Sequence, residues 1–328
     1  MRKNILSVSL MIVLLILPAG FATEFAPVGT SVAQFLEVGV GARAAGMGEA
    51  YTVVANDASA VFWNPAGLVD ASDRNMFSSI NKWPADITFA GLAYSMKLGR
   101  IGTLAISGVY LMTDDMEVTT IEMPEGNGEM FNLTNYALGL TYARFLTDRV
   151  SVGLTTKFVH EDYYGHGYST WALDLGTVYR TNFHGLRLGM SILHFAPEVR
   201  FSGTYWDYSD SENADKEKKY ETYSLPVNFR FGISMNLLEK TNHTVMVAAD
   251  MIHPNNNLEQ YNLGLEYSFL KMFSLRGGYK MNTDEAGLTF GAGVRLELGN
   301  ALGINADYAY SDLGALKGAH RVSLGVSF

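Results

Sequence analysis

The chain has 328 residues, with 33 glycines, 18 tyrosines, 18 phenylalanines, 4 tryptophans, no cysteine, 17% charged residues and a formal net charge of −9. The missing cysteines exclude a disulfide framework and a thiolate metal centre, and the acidic balance without a basic run argues against a nucleic-acid partner, whose phosphates need clustered Lys and Arg. A charge-poor profile rich in glycine and aromatics suits one large all-β unit.

The first residues read as a secretory signal. Arg2 and Lys3 form a charged end, Ile5 to Leu17 an apolar stretch, and Gly20, Phe21 and Ala22 a small-residue cleavage site. The stretch ends at Pro18, well short of the roughly 20 apolar residues a spanning helix needs, so cleavage after Ala22 is expected rather than a retained anchor.

About fifty residues then precede any strand pattern. They are rich in Ala, Val and Gly with few charges, and include VGVGARAAGMGEAYTVVANDASAVFWNPAGLV from Val38 to Val69. Such a composition suits an ordered plug, with a short helical part around Ala58 to Phe62. Asn64 and Pro65 suit a turn, Gly67 permits a positive φ, and Gly39, Gly41, Gly46 and Gly48 allow close packing against a wall. Arg43 and Asp57 are expected to pair with opposite charges there. Gly39, Gly41 and Ala44 also spell a GxGxxA string, but no strand precedes it and no βαβ unit follows, so it is no dinucleotide site.

From Asn75 onward, segments of about ten residues alternate apolar and polar side chains. They start near Asn75, Ile87, Ile101, Glu129, Val150, Ser169, Gly185, Tyr223, His243, Leu258, Phe273, Gly287, Ala301 and Ala319. In the last, Val322, Leu324, Val326 and Phe328 share one face and Arg321, Ser323, Gly325 and Ser327 the other. From Val150 to the end, Lys157, Asp174, Arg180, Arg187, Arg230, Asp250, Glu266, Arg276, Lys280, Arg295, Glu297, Asp307 and Arg321 all keep to the polar parity. A charge on a lipid face costs roughly 2 to 4 kcal/mol at mid-bilayer, which explains so strict a partition.

The even strand count and the rhythm of connections point the same way. Short turns are expected around Gly99, Asp148, Asn182, Lys240, Lys271 and Asn300, on the periplasmic side if the mature N-terminus and Phe328 both lie there. Longer external connections are expected at Thr113 to Gly128, Glu161 to Gly167, Ala196 to Thr222 and Ile252 to Asn257. Trp83, Tyr94, Tyr136, Trp171, Tyr179, Tyr261, Tyr267 and Tyr308 near segment ends suit interfacial girdles. The expected fold is an all-β transmembrane antiparallel barrel of about fourteen strands, with residues 1–22 as signal, 23–72 as plug and 73–328 as barrel. It sits in the outer membrane of a diderm bacterium.

His160, Glu161, Asp162 and His166 gather at one expected loop, and Asp114 with Asp115 at another, but no paired nucleophile accompanies them and solvated loops hold such clusters anyway. No catalytic, metal or cofactor set is expected. The Asp207 to Lys219 run reads as a solvated tip. Phe328 closes the last strand as a terminal aromatic, resembling the signal read by the machinery that inserts outer-membrane barrels.

The plug stretch also carries a resemblance. Gly41, Arg43, Gly46, Met47, Gly48, Ala50, Asp57, Ala60, Trp63, Asn64, Pro65, Ala66, Gly67 and Leu68 resemble the N-terminal signature of the PorV/PorQ family of outer-membrane proteins. That family is similar to FadL, whose fourteen-stranded barrel holds an N-terminal hatch with an Asn-Pro-Ala turn, matched here by Asn64, Pro65 and Ala66. Glu49 departs from the pattern, where a small residue is expected, and this bears on local packing alone. The resemblance implies a non-enzymatic carrier or scaffold for exported protein cargo in type IX secretion, with secreted proteins and surface-attachment proteins as partners besides the lipid. The alternative is a FadL-like channel for small hydrophobic compounds such as fatty acids. A lumen parity with about eight basic and five acidic side chains favours a sealed wall, and hence the carrier.

Overall fold

Residues two apart on an extended chain point to the same side of a sheet, so period-two segments that pair in register put all their charges on one surface. The computed structural model, which describes residues 28–83, 87–206, 217–283, 287–299, 302–314 and 318–328, folds these segments into one closed antiparallel barrel. The signal expected at residues 1–22 lies outside the described residues, as does most of the Asp207 to Lys219 run. In chain order the strands begin with β1 (Arg74–Lys82), β2 (Thr88–Lys97) and β3 (Thr103–Met112), then the two-residue β4 (Met116–Glu117) and β5 (Met130–Phe131). Next come β6 (Leu133–Phe145), β7 (Val150–Tyr163), β8 (His166–Arg180), β9 (Arg187–Phe195), and the short β10 (Thr204–Trp206) and β11 (Glu217–Lys219). The series closes with β12 (Asn228–Glu239), β13 (His243–Pro254), β14 (Gln260–Phe269), β15 (Phe273–Met281), β16 (Leu288–Leu298), β17 (Leu302–Asp312) and β18 (Gly318–Ser327).

Fourteen of these strands form the wall, and each of the fourteen sequence segments supplies one; β4 with β5 and β10 with β11 are small ribbons in the long connections. Closure comes from β1 and β18, paired from Asn75 against Ser327 to Lys82 against His320, with Arg74 and Phe328 exchanging both backbone hydrogen bonds at 2.9 and 3.0 Å. No strand edge is therefore offered to a solvent that cannot hydrogen-bond it. The exterior is an apolar band that includes Met76, Leu92, Ile106, Leu138, Leu175, Leu275, Phe290 and Leu324, all exposed. Asp174, Asp250, Glu266, Arg276 and Arg321 are buried inside.

Two details differ from the sequence expectation. The connection expected from Glu161 to Gly167 is a tight hairpin, because β7 continues to Tyr163 and β8 begins at His166, with Tyr164 and Gly165 turning at φ 53° and 80°. The described N-terminal end lies at the opposite mouth from Phe328: Ser31 bridges Ser224 beside the start of β12, and Asn256 after β13 donates to Ser31 Oγ at 2.7 Å. The plug has to traverse the lumen lengthwise to reach β1, which puts its two ends at opposite mouths.

Candidate functional site

The lumen is occupied by residues 31–71, built from short helical turns rather than long helices. These are 3-10 turns at Gln34–Glu37, Ala58–Phe62 and Pro65–Asp70 and a single α-helical turn at Ala42–Gly46. Small side chains let such turns stack tightly, and Ala42, Ala44, Ala45, Ala50, Ala58, Ala60, Ala66 and Leu68 are all sealed from solvent.

The wall meets the plug with glycines. A Cβ on Gly46 would lie 2.9 Å from the backbone of Gly291 on β16, and one on Gly278 of β15 would collide with the backbone of Gly48. Gly48 is held at φ 62°, and its N–H donates to Thr289 Oγ1 at 3.0 Å. Gly41, at φ 100°, precedes the α-helical turn against the Phe77 ring. Met47 is fully buried and packs on Gly264 of β14.

Charge fixes the plug in place. Glu49 accepts from Lys280 Nζ at 2.6 Å and from Arg321 Nη1 at 3.0 Å. Burial opposes its ionisation, yet Lys280 and Arg321 hold its carboxyl down at about 2. The sequence departure at Glu49 is thus an anchor to the wall, more than local packing. Arg43 lies on Glu266, which Arg276 also binds at 2.6 Å, and Arg276 reaches on to Asp307 at 2.6 Å. Burial works against the Arg43 charge, but Glu266 outweighs it and keeps the guanidinium firmly protonated. Asp57 does not pair with the wall as expected. It caps its own turn from the N-cap position, accepting from Ser59 N–H at 2.9 Å.

The Trp63-Asn64-Pro65-Ala66-Gly67 run seats the lower plug. Trp63 Nε1–H donates to Val40 O at 3.0 Å, and the Arg230 guanidinium lies over its ring at 4.8 Å. Asn64 caps the turn begun by Pro65, accepting from Ala66 N–H at 3.1 Å, while its amide donates to Thr177 O of β8. Ala66 O accepts from Ser151 Oγ, and Gly67 packs under the Ala55 carbonyl where no Cβ fits. Asp70 closes the run on Arg180 at 2.8 Å and Arg187 at 3.2 Å.

Sequence reasoning passed over two further anchors. Asp250 accepts from the N–H groups of Tyr51 and Thr52, both at 2.9 Å, and from the Thr52 hydroxyl at 2.6 Å. Glu161, buried inside the barrel, accepts from Ala33 N–H at 2.8 Å and from the Tyr163 and Tyr168 hydroxyls at 2.6 Å. The signal for Glu161 was its parity, shared with Lys157 and Val159, which extends β7 through the supposed loop.

Between plug and wall lies a cavity of about 60 Å³. Its lining mixes apolar Val40, Phe62, Trp63, Phe89, Val109 and Leu193 with polar Glu37, Lys157, His194, Asn228 and Arg230. His194 sits in a bulge of β9 at φ 63°, where its backbone N–H donates to Asp174 Oδ1 at 2.9 Å and its ring lies 3.2 Å from Lys157 Nζ. Lys157 in turn pairs with Asp174 at 2.6 Å. The bulge turns both Leu193 and His194 inward, which strict alternation would forbid.

No protein-family model and no curated protein match the chain. Solved structures do match in fold. The CymD monoaromatic hydrocarbon channel aligns with a TM-score of 0.57 at 14% identity, over 89% of this chain and 98% of its own. The Ralstonia pickettii toluene transporter TbuX aligns at 0.55 and 11% identity, over 88% and 97%. A Pseudomonas aeruginosa FadL homologue aligns at 0.54 and 13% identity, over 88% and 98%. At such identities the likeness establishes the FadL-like barrel fold.

Proposed function

We infer that this chain is an outer-membrane channel for small hydrophobic compounds, closed at rest by its own N-terminal plug. The observation that carries the reading is the cavity between plug and wall, lined by apolar side chains interleaved with Glu37, Lys157, His194, Asn228 and Arg230. It suits a hydrophobic body with a small polar end. The end-to-end likeness to hydrocarbon channels supports the same reading, and the apolar outer band and terminal Phe328 support insertion in an outer membrane. The lipid and the barrel-inserting machinery are then its first partners. Because the cavity is far below the few hundred Å³ of a ligand pocket, entry requires residues 33–40 to shift. The test is uptake of a labelled long-chain fatty acid and of toluene by cells making the protein. Filling the cavity by V109W should cut uptake at least about tenfold while leaving barrel assembly intact, and uptake equal to that of cells lacking the protein would refute the channel.

A second reading, the cargo carrier of type IX secretion, keeps one observation in its favour: a lumen crossed by ion pairs from Glu49 to Asp70 suits a sealed scaffold. Affinity purification from detergent would then recover secreted or surface-attachment proteins, and uptake would be absent. The structural likeness adds nothing to this reading, and it ranks second.

A further inference from the structure

His160, Glu161, Asp162 and His166 look like one cluster in the sequence, but the strand separates them. Glu161 turns into the lumen, whereas His160 turns out toward lipid, directly opposite Ser169 on β8. The Ser169 hydroxyl and His160 Nδ1 are 2.9 Å apart. On the same outer face the Tyr136 ring of β6 lies against the imidazole, with centroids 5.1 Å apart, and restricts its rotation.

Depth adds a second observation. The next outward-facing pair below His160 and Ser169 is Phe158 with Trp171, packed edge to face with Leu138 beside Phe158, and below it lie Leu154, Leu173 and Leu175. An aromatic layer over an aliphatic band marks the boundary between headgroups and acyl chains. Ester carbonyls of membrane lipids lie at that boundary, so Ser169 Oγ stands at their level.

We propose that Ser169 and His160 form an acyl-ester hydrolase site on the lipid-facing surface, acting on ester-linked acyl chains of outer-leaflet lipid. Ser169 Oγ bonds to the ester carbonyl carbon as its proton passes to His160 Nδ1, and the carbonyl electron pair moves to oxygen. That oxyanion collapses, the bond to the lipid alcohol oxygen breaks, and this oxygen takes the proton from His160. Water, deprotonated by the same imidazole, then attacks the acyl-serine, freeing a fatty acid and restoring the hydroxyl. Among the other outward histidines on the described strands, His243 and His320 face Tyr267 and Tyr308 and His253 faces Glu259, so none presents an aliphatic hydroxyl.

The full chain is to be reconstituted in vesicles of radiolabelled phosphatidylethanolamine or of lipid A, and treated in parallel with a fluorophosphonate probe. Wild type should release fatty acid from at least one lipid and take up the probe, and the lipid cleaved identifies the source. S169A and H160Q should lose release by at least about a hundredfold, and S169A should lose labelling, while H320Q keeps both. Heat-modified migration on gels verifies that each variant is a folded barrel. No release by folded wild type from either lipid, or equal release by S169A, overturns the assignment. The readout is independent of uptake, so its failure leaves the channel reading untouched.

Discussion

Glu49 is the residue on which the plug is most directly hung. Its two cationic partners belong to β15 and β18, and all three side chains are withdrawn from water. Removing one member of such a set leaves buried charge without compensation, a loss of about 3 to 5 kcal/mol. E49Q should lower the unfolding midpoint of the protein in detergent and raise its conductance in planar bilayers. The pH dependence has a definite sign. The folded carboxyl titrates at about 2 against an ordinary 4.5, so its stabilisation is complete above 4.5 and is lost as pH falls toward 2. Glu37 behaves oppositely: burial raises its pKa against hydrogen bonds from Asn256 and Asn228. E37Q should therefore leave plug stability at pH 7 unchanged or higher, measured by the same unfolding. Gly278 provides a steric counterpart, since any Cβ there meets the Gly48 backbone. G278V should unseat the plug and open the lumen to ions without breaking the outer band.

At the scale of the strand, what matters is which face a side chain lands on. Leu92 points outward from β2 between Ala90 and Tyr94, while its neighbours Gly91 and Ala93 face the plug. L92K should cost about 2 to 4 kcal/mol of folding stability in bilayers, measured by urea titration. Alternation was readable for every wall strand because one face meets hydrocarbon and the other meets charge, and a register slip by one residue would invert both. The strand ends were less legible. Glu161 and Asp162 look like loop residues by composition, yet β7 and β8 carry the ladder past them to Tyr163 and His166, since cross-strand pairing continues wherever the backbone can follow it. The bulge at Leu193 and His194 was invisible for a related reason. It depends on how β8 and β9 are offset around the barrel, and no local pattern records that offset.

For the whole molecule, the plug enters at one mouth and leaves at the other, so its amino-terminal end faces the side of the long connections. The chain has no native cysteine, which makes the orientation directly testable. V28C should react with a membrane-impermeant maleimide on intact cells, whereas K240C, in the turn between β12 and β13, should react only after the outer membrane is permeabilised. Labelling in the reverse order would invert the molecule. The same geometry means that opening is a matter of releasing a threaded segment from Glu161, Asp250, Glu49 and Asp70, which hold it at successive levels.

By itself the sequence determined the barrel, its strand number and the separation of a greasy exterior from an ionic interior. Those follow from a period of two and from the cost of placing charge in lipid, both of which act residue by residue. It also marked the plug, through a run of small residues around Trp63, Asn64 and Pro65. Only the tertiary structure decided which wall charge meets which plug residue, because Arg43 with Glu266 and Glu49 with Arg321 are joined across more than two hundred residues by barrel closure. It alone turned Glu161 inward and His160 outward, and it alone opened a small cavity where Lys157, His194 and Arg230 converge from three strands.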